Sequence, residues 1–496
     1  MAKSLKWILK KAGIFTCFFL FPFFSIGAAD NTWQFDAELQ KAYSLILNLK
    51  TDQAYSILTK NTKSYELHRL YLLTFCETVD VLITEDGKKF EGVELKFRDR
   101  LLHLEELPES AETLFLQAEI NLQKGFNFLN LNQELNAVIS IRRAYNLTQE
   151  CLKKYPTFIP IKKTSGVIQV MVGSVPDKFH WFMSLLGMKG SVTKGQQQLE
   201  ELRLSKSSLK EEATILFFTI KGFISQQFEE AGKGIQECLK TDPNNRLLLF
   251  LGINMLMKNS RSDDAFHLIQ NLDLHPQGLQ MHYIEYLRGE ILLQRGDYAQ
   301  AIQAYQKFIA GYKSQSFKKD SYFKIALCYW LQNKPEQAWQ NFEKAKKTGK
   351  DVAEPDRYAA WQLEEAKFPN PKILKVRFYT DGGYFKEAKE VLHTILPSDL
   401  VTLKEQTEFY YRKARLSHKT SEISAAKLFY AQTIDMSGDN PWYFAPNSAL
   451  NLGYIAQAQK DNALAKRYFE KALSYKKHEY KNSIDSKAKS ALEQVN

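Results

Sequence analysis

The chain has 496 residues, of which 44% are hydrophobic and 25% charged, which excludes an intrinsically disordered chain. That length is too great for one compact core, and it fits an array in which each unit contacts only its neighbours. The formal charge of +11 is unevenly spread: four lysines fall in the first eleven residues, and between Gln306 and Lys350 ten lysines face three acidic residues. No recognised nucleic-acid motif accompanies that charge, so it points to solvated helix faces or to an acidic partner, with no nucleic acid expected.

Residues 1–29 read as a secretory signal peptide. A basic start precedes an apolar run from Ile14 to Ile26, and Gly27, Ala28 and Ala29 suit cleavage before Asp30. The run is shorter than the ~20 residues of a membrane helix, and Pro22 interrupts it. The expectation is an exported protein, periplasmic, with no stable membrane span after cleavage. The alternative is an inner-membrane anchor formed by an uncleaved leader. Ile14, Phe15 and Thr16 make a poor lipobox before Cys17, so lipidation is not expected. Four cysteines follow the leader, far apart and without a C-x-x-C, and the spacing does not choose among their pairings.

Helical periodicity begins at Asp36 and continues through Val81. Thr84 to Glu94 breaks it, with Asp86 and Gly87 as a turn signal. Leu114 to Tyr155 forms a long pair of helices, ended by Pro156 and Pro160. Ser165 to Leu202 is apolar and glycine-rich. Gly173 and Pro176 break one helix there, and Gly187 and Gly190 end the next. The favoured reading is a tight hairpin whose glycines permit close approach; the other is an insertion against a membrane or ligand.

From Lys210 one spacing recurs: a small residue, another twelve on, a large apolar residue four later, and one more after three. It is clearest in Gly289, Ala301, Tyr305 and Phe308, where Gly296 and Asp297 turn the chain between two helices. Thr219, Ala231, Ile235 and Cys238 precede it; Asn245 to Leu272 is a looser pair. Ala326, Ala338, Phe342 and Ala345 follow, then Val376, Ala388, Leu392 and Ile395. Ala414, Ala426, Tyr430 and Thr433 come next, and Gly453, Ala465, Phe469 and Ala472 close the series. A weak copy stands at Ala42, Ala54, Leu58 and Asn61. The last helix, Ser483 to Gln494, is polar and small-residue-rich, as a cap should be.

These positions resemble the tetratricopeptide repeat, whose period is ~34 residues; the turns at Gly296 and Asn333 lie 37 apart. The resemblance implies an all-α, right-handed solenoid of stacked antiparallel helix pairs. We divide the chain into the leader 1–29, a divergent helical region 30–209, repeats 210–350, and repeats with a cap 351–496. Three stretches, AEINLQKGF…SIRRAY, SGVIQVMVGSVPDKFHWFMSLLGMKGS and AKRYFEKALSYKKHEYKNSIDSKAKSAL, resemble exported repeat proteins of Bacteroidota-type bacteria. More distantly they resemble the eukaryotic inclusion-body-clearance repeat family, whose members lack such a leader.

The sequence holds no H-E-x-x-H around His275, His282 and Glu285, no P-loop, no G-x-G-x-x-G and no G-x-S-x-G at Ser174. We therefore expect no catalytic residues, no metal and no cofactor. The expected function is a non-catalytic scaffold for a protein or peptide partner in the cell envelope. The alternative is glycan or nutrient capture, similar to the repeat-based starch-utilisation binding proteins. In proteins of the repeat type, the first helix of each pair lines a concave groove. That register implies Tyr283, Tyr286, Glu290, Phe323, Trp330, Arg377, Tyr411, Arg415 and Tyr454 as candidate groove residues, with Trp330 and Tyr411 as anchors and the Gln306–Lys350 lysines as a rim.

Overall fold

The small-to-large pattern builds the helix pair directly. Helix Tyr283–Arg295 ends at Gly296, whose φ of +92° lets its N–H return to Leu292 and Leu293. Helix Tyr298–Gly311 then runs back along it. Gly289 leaves room for the Tyr305 ring: a Cβ there would stand 2.7 Å from it. Gly453 meets the Phe469 ring in the same way, and closer still. Most of the remaining repeat positions are equally closed, with Thr219, Cys238 and Leu392 half-buried. Ala231, Ile235, Ala326, Ala338, Phe342, Val376, Ala388, Ala414, Ala426, Tyr430, Ala465 and Ala472 are all fully buried. One spacing in the sequence thus becomes an apolar seam within each helix pair.

The computed structural model describes residues 33–60, 65–175, 180–351 and 353–495. Among the described residues there are 25 α-helices, one short 3-10 helix and no strand. The protein is all-α, built of stacked antiparallel helix pairs. Side-chain caps start many of the helices: Asp36, Ser110, Ser191, Asn245, Asn370, Thr402 and Asp461 each accept from the first turn. No helix among the described residues is long and apolar enough to cross a membrane. The signal-peptide reading of 1–29, and Asn61 and Pro176, lie outside the described residues.

The region before Lys210 uses longer helices: Glu66–Thr84, Gly87–Glu106, Ala111–Asn130 and Glu134–Lys154. The break expected over Thr84 to Glu94 is only two residues long. Asp86 accepts from Lys89 N at 3.3 Å and starts the next helix at Gly87, so the turn signal was also a cap. The glycine-rich segment is the tight hairpin expected. Helix Ile161–Gly173 lies so close to Val192–Arg203 that a Cβ at Gly195 would meet the Gly166 carbonyl at 2.5 Å, and one at Gly190 the Gln169 carbonyl at 2.6 Å. Cys76, Cys151 and Cys328 are buried free thiols, and Cys238 is a half-buried one.

Unlike an array in which only neighbours touch, the chain also folds back on itself. Ser208 N donates to Trp33 O at 3.2 Å, and Trp33 packs edge-on to Phe115. Leu279 N donates to Leu49 O at 2.7 Å, and Lys313 pairs with Asp86 at 2.6 Å. Tyr384 donates to Asp263 at 2.7 Å, and Tyr358 stacks on Tyr480 with centroids 4.9 Å apart. One apolar cluster runs from Trp33 to Phe378, and a separate one fills the last repeats from Tyr411 onward.

Candidate functional site

Of the nine expected groove residues, three are interior and six are half-buried. Tyr286, Phe323 and Tyr411 are only 4%, 1% and 2% exposed. They are core residues rather than exposed anchors, because each packs within its own helix pair and against the next repeat: Tyr286 on Tyr305 and Phe317, Phe323 on Phe342, and Tyr411 on Tyr430 and Phe444. Tyr283 is half-buried, stacked on Tyr286 at 5.3 Å and against Phe317 at 4.9 Å.

A polar relay runs through this core. Tyr286 Oη donates to Asp320 Oδ2 at 2.7 Å. The backbone N–H groups of Asp320 and Phe317 donate to Asp356 at 3.0 and 2.6 Å, so Asp356 caps helix Lys318–Leu331 from a neighbouring repeat. Burial still pushes the Asp356 carboxyl up to about 6. Glu290 accepts from Lys324 at 2.8 Å and also from Tyr305 Oη. The expected rim lysine Lys324 is therefore an internal ion-pair partner.

The other register positions are half-buried. Trp330 stacks on Phe368 at 4.9 Å and donates its indole N–H to Pro369 O at 3.0 Å. Arg377 donates to Tyr358 Oη at 2.9 Å and lies 3.9 Å from Asp381. Arg415 lies 3.8 Å from the same Asp381 and 3.5 Å from Asn451 Oδ1. The Tyr454 hydroxyl is buried without a hydrogen-bond partner, its ring edge-on to Phe469.

The register reading missed a surface. Trp339 is 40% exposed and touches both Phe342 and Phe368, each with centroids 4.9 Å apart. Trp330, Phe368, Trp339 and Phe342 therefore form one continuous aromatic group, open to solvent at Trp339. Lys346 lies over the Phe342 ring at 5.1 Å, and Lys334, Lys344, Lys347 and Lys350 are exposed nearby in sequence. The signal was available: the period that buries Ala338, Phe342 and Ala345 leaves Trp339 on the edge of that face. Among the described residues no group of three or more His, Cys, Asp or Glu is placed to hold a metal ion.

Residues 284–314 and 446–479 each match the profile of the tetratricopeptide repeat. The chain carries tetratricopeptide repeats. No curated protein shows a significant match to it. Among solved structures it is similar to the Cut9–Hcn1 hetero-tetramer of the APC/C at 14% identity, covering 92% of this chain and 89% of that one with a TM-score of 0.28. A Rap protein complexed with competence and sporulation factor shares 12% identity over 81% of this chain and 96% of its own, TM-score 0.33. A human IFIT1 dimer with PPP-AAAA shares 11% over 89% and 96%, TM-score 0.29.

Proposed function

We propose that this protein is an exported, non-catalytic scaffold that holds a protein partner in the cell envelope, as the Bacteroidota-type repeat proteins it resembles suggest. The observation that carries the reading is the pair of tetratricopeptide matches within a continuous stack of helix pairs, an architecture whose large surfaces serve protein association. The partner's docking point is the aromatic group that opens at Trp339, bordered by the lysines of helix Pro335–Lys347. A large amphipathic ring supplies the apolar contact, and the lysines favour an acidic partner.

The test is crosslinking capture from envelope extracts with the wild type and with Trp339→Ala, read by quantitative mass spectrometry. The reading expects one acidic protein to be enriched on the wild type and depleted on the variant. Equal recovery on both would remove Trp339 from the interface. Palmitate labelling and N-terminal sequencing test the export part, which expects a chain beginning at Asp30.

A further inference from the structure

The second distinctive group of side chains lies in the C-terminal half and consists of cations. Arg377 stands on helix Pro371–Gly382, Arg415 and Lys419 on Leu403–Lys419, and Lys487 on the closing helix Lys481–Val495. All four are half-buried. Among the described residues Lys419 and Lys487 make no hydrogen bond or ion pair; through space Lys419 senses Arg415 and then Asp381, and Lys487 senses exposed Lys258 and Glu354 and then Arg415. The two arginines share a single carboxylate, Asp381, at 3.9 and 3.8 Å, beyond hydrogen-bonding distance. Counting Lys258, Glu354 and buried Asp320, which senses Arg377, five cations face three carboxylates.

Such an excess is costly. Half-buried charge without a counter-charge is destabilising, and ordinary packing offers no return for keeping it. Arg412, on the same helix, shows the ordinary solution: it pairs with Glu408 at 2.5 Å and donates to Tyr443 Oη at 2.7 Å. The arginine forks of Arg377 and Arg415 keep donors unspent, since each guanidinium offers five and the neighbours take few. Neutral hydrogen-bonding groups stand beside them: the hydroxyls of Tyr358 and Tyr430 and the amide of Asn451. Planar forks and unpaired amines fit an oxyanion.

We propose that Arg377, Arg415, Lys419 and Lys487 form a binding site for a dianionic oxyanion, a phosphate group. A single carboxylate would leave the cluster positive, whereas a dianion removes the excess. Two sources share that chemistry, the free inorganic ion and the phosphomonoester of a small solute. Burial, with Arg415 beside Lys419 and with Lys258 ahead of Arg415 beside Lys487, pushes both lysine amines down to about 8. The site uses neither Trp339 nor the lysines of residues 334–350, so this proposal and the scaffold reading can fail separately.

The test uses the full mature chain at pH 7.5 and matched ionic strength, titrated calorimetrically with inorganic phosphate, glycerol phosphate and acetate. Saturable binding of phosphate, with acetate at least roughly tenfold weaker, is expected. Glycerol phosphate binding equally well identifies the monoester as a fit; exclusion of the ester identifies the free ion. A Lys419→Gln/Lys487→Gln variant should lose at least roughly tenfold in phosphate affinity. The same variant should melt no lower than the wild type without phosphate, because the lost charges were unpaired. Phosphate no tighter than acetate on the unaltered chain overturns the proposal, as does a folded double variant that binds phosphate normally.

Discussion

Tyr286 and Asp320 meet at 2.7 Å, hydroxyl to carboxylate, across two successive repeats. This contact decides how the inner face is read, because it places the Tyr286 hydroxyl against protein rather than partner. Tyr286→Phe removes the donor and leaves a buried carboxylate short of a hydrogen bond, at a cost of about 1–3 kcal/mol. Urea denaturation should show that loss while partner capture stays unchanged. A variant as stable as wild type would place Tyr286 outside the core relay.

Glycine positions should divide into two kinds. At Gly289 a Cβ would press on the Tyr305 ring, and at Gly453 on that of Phe469. Alanine at either is expected to cost about 1–3 kcal/mol through overpacking. At Gly92, inside helix Gly87–Glu106, a Cβ meets nothing within 4 Å. There Gly92→Ala should stabilise by about 0.5–1 kcal/mol through helix propensity. Melting curves of the three variants should therefore move in opposite directions.

Glu479 gives stability a pH dependence of known sign. Burial pushes its carboxyl up to about 7, against the pull of Lys404 and with Glu408 and Glu365 adding to the push. A carboxyl raised above its unfolded value is destabilising once ionised. The penalty begins as pH rises past about 4.5 and is complete above about 7, reaching about 3 kcal/mol at most. Glu479→Gln should thus melt higher than wild type at pH 8 and together with it at pH 4.5. A pH-independent difference would assign the effect to packing.

Much of the fold was legible because the repeat spacing records which residues close the seam between helices. Ala301, Tyr305 and Phe308, or Ala465, Phe469 and Ala472, are buried as the spacing predicts. The exposure of the groove register was not legible. Local periodicity says which face of a helix is apolar, but it carries no information about distant contacts such as Leu279 with Leu49 or Tyr384 with Asp263. Nor does it say how closely helices of the same and the next repeat pack, and it is that packing that encloses Tyr286, Phe323 and Tyr411. The buried group of Lys163, with Glu119 at 2.6 Å and Glu212 at 2.8 Å, escaped notice for the same reason. Its members come from three helices separated by tens of residues.

That enclosed carboxylate–lysine–carboxylate group offers its own check. Lys163 also donates to Tyr71 Oη at 2.7 Å. Lys163→Met strips two buried carboxylates of their shared cation and should cost about 3–5 kcal/mol in chemical denaturation. A loss below about 1 kcal/mol would mean that water or a proton replaces the lysine.

The most direct measurement of the central claim is a titration of the captured partner against wild type, Trp339→Ala and a Lys344→Glu/Lys346→Glu variant, at low and high salt. Scaffolding through the Trp339 face predicts that the tryptophan variant folds normally and loses about 2 kcal/mol of binding at both salts. It predicts that the charge variant slows association mainly at low salt. Folded variants that bind the partner as wild type does, at both salts, would contradict the account.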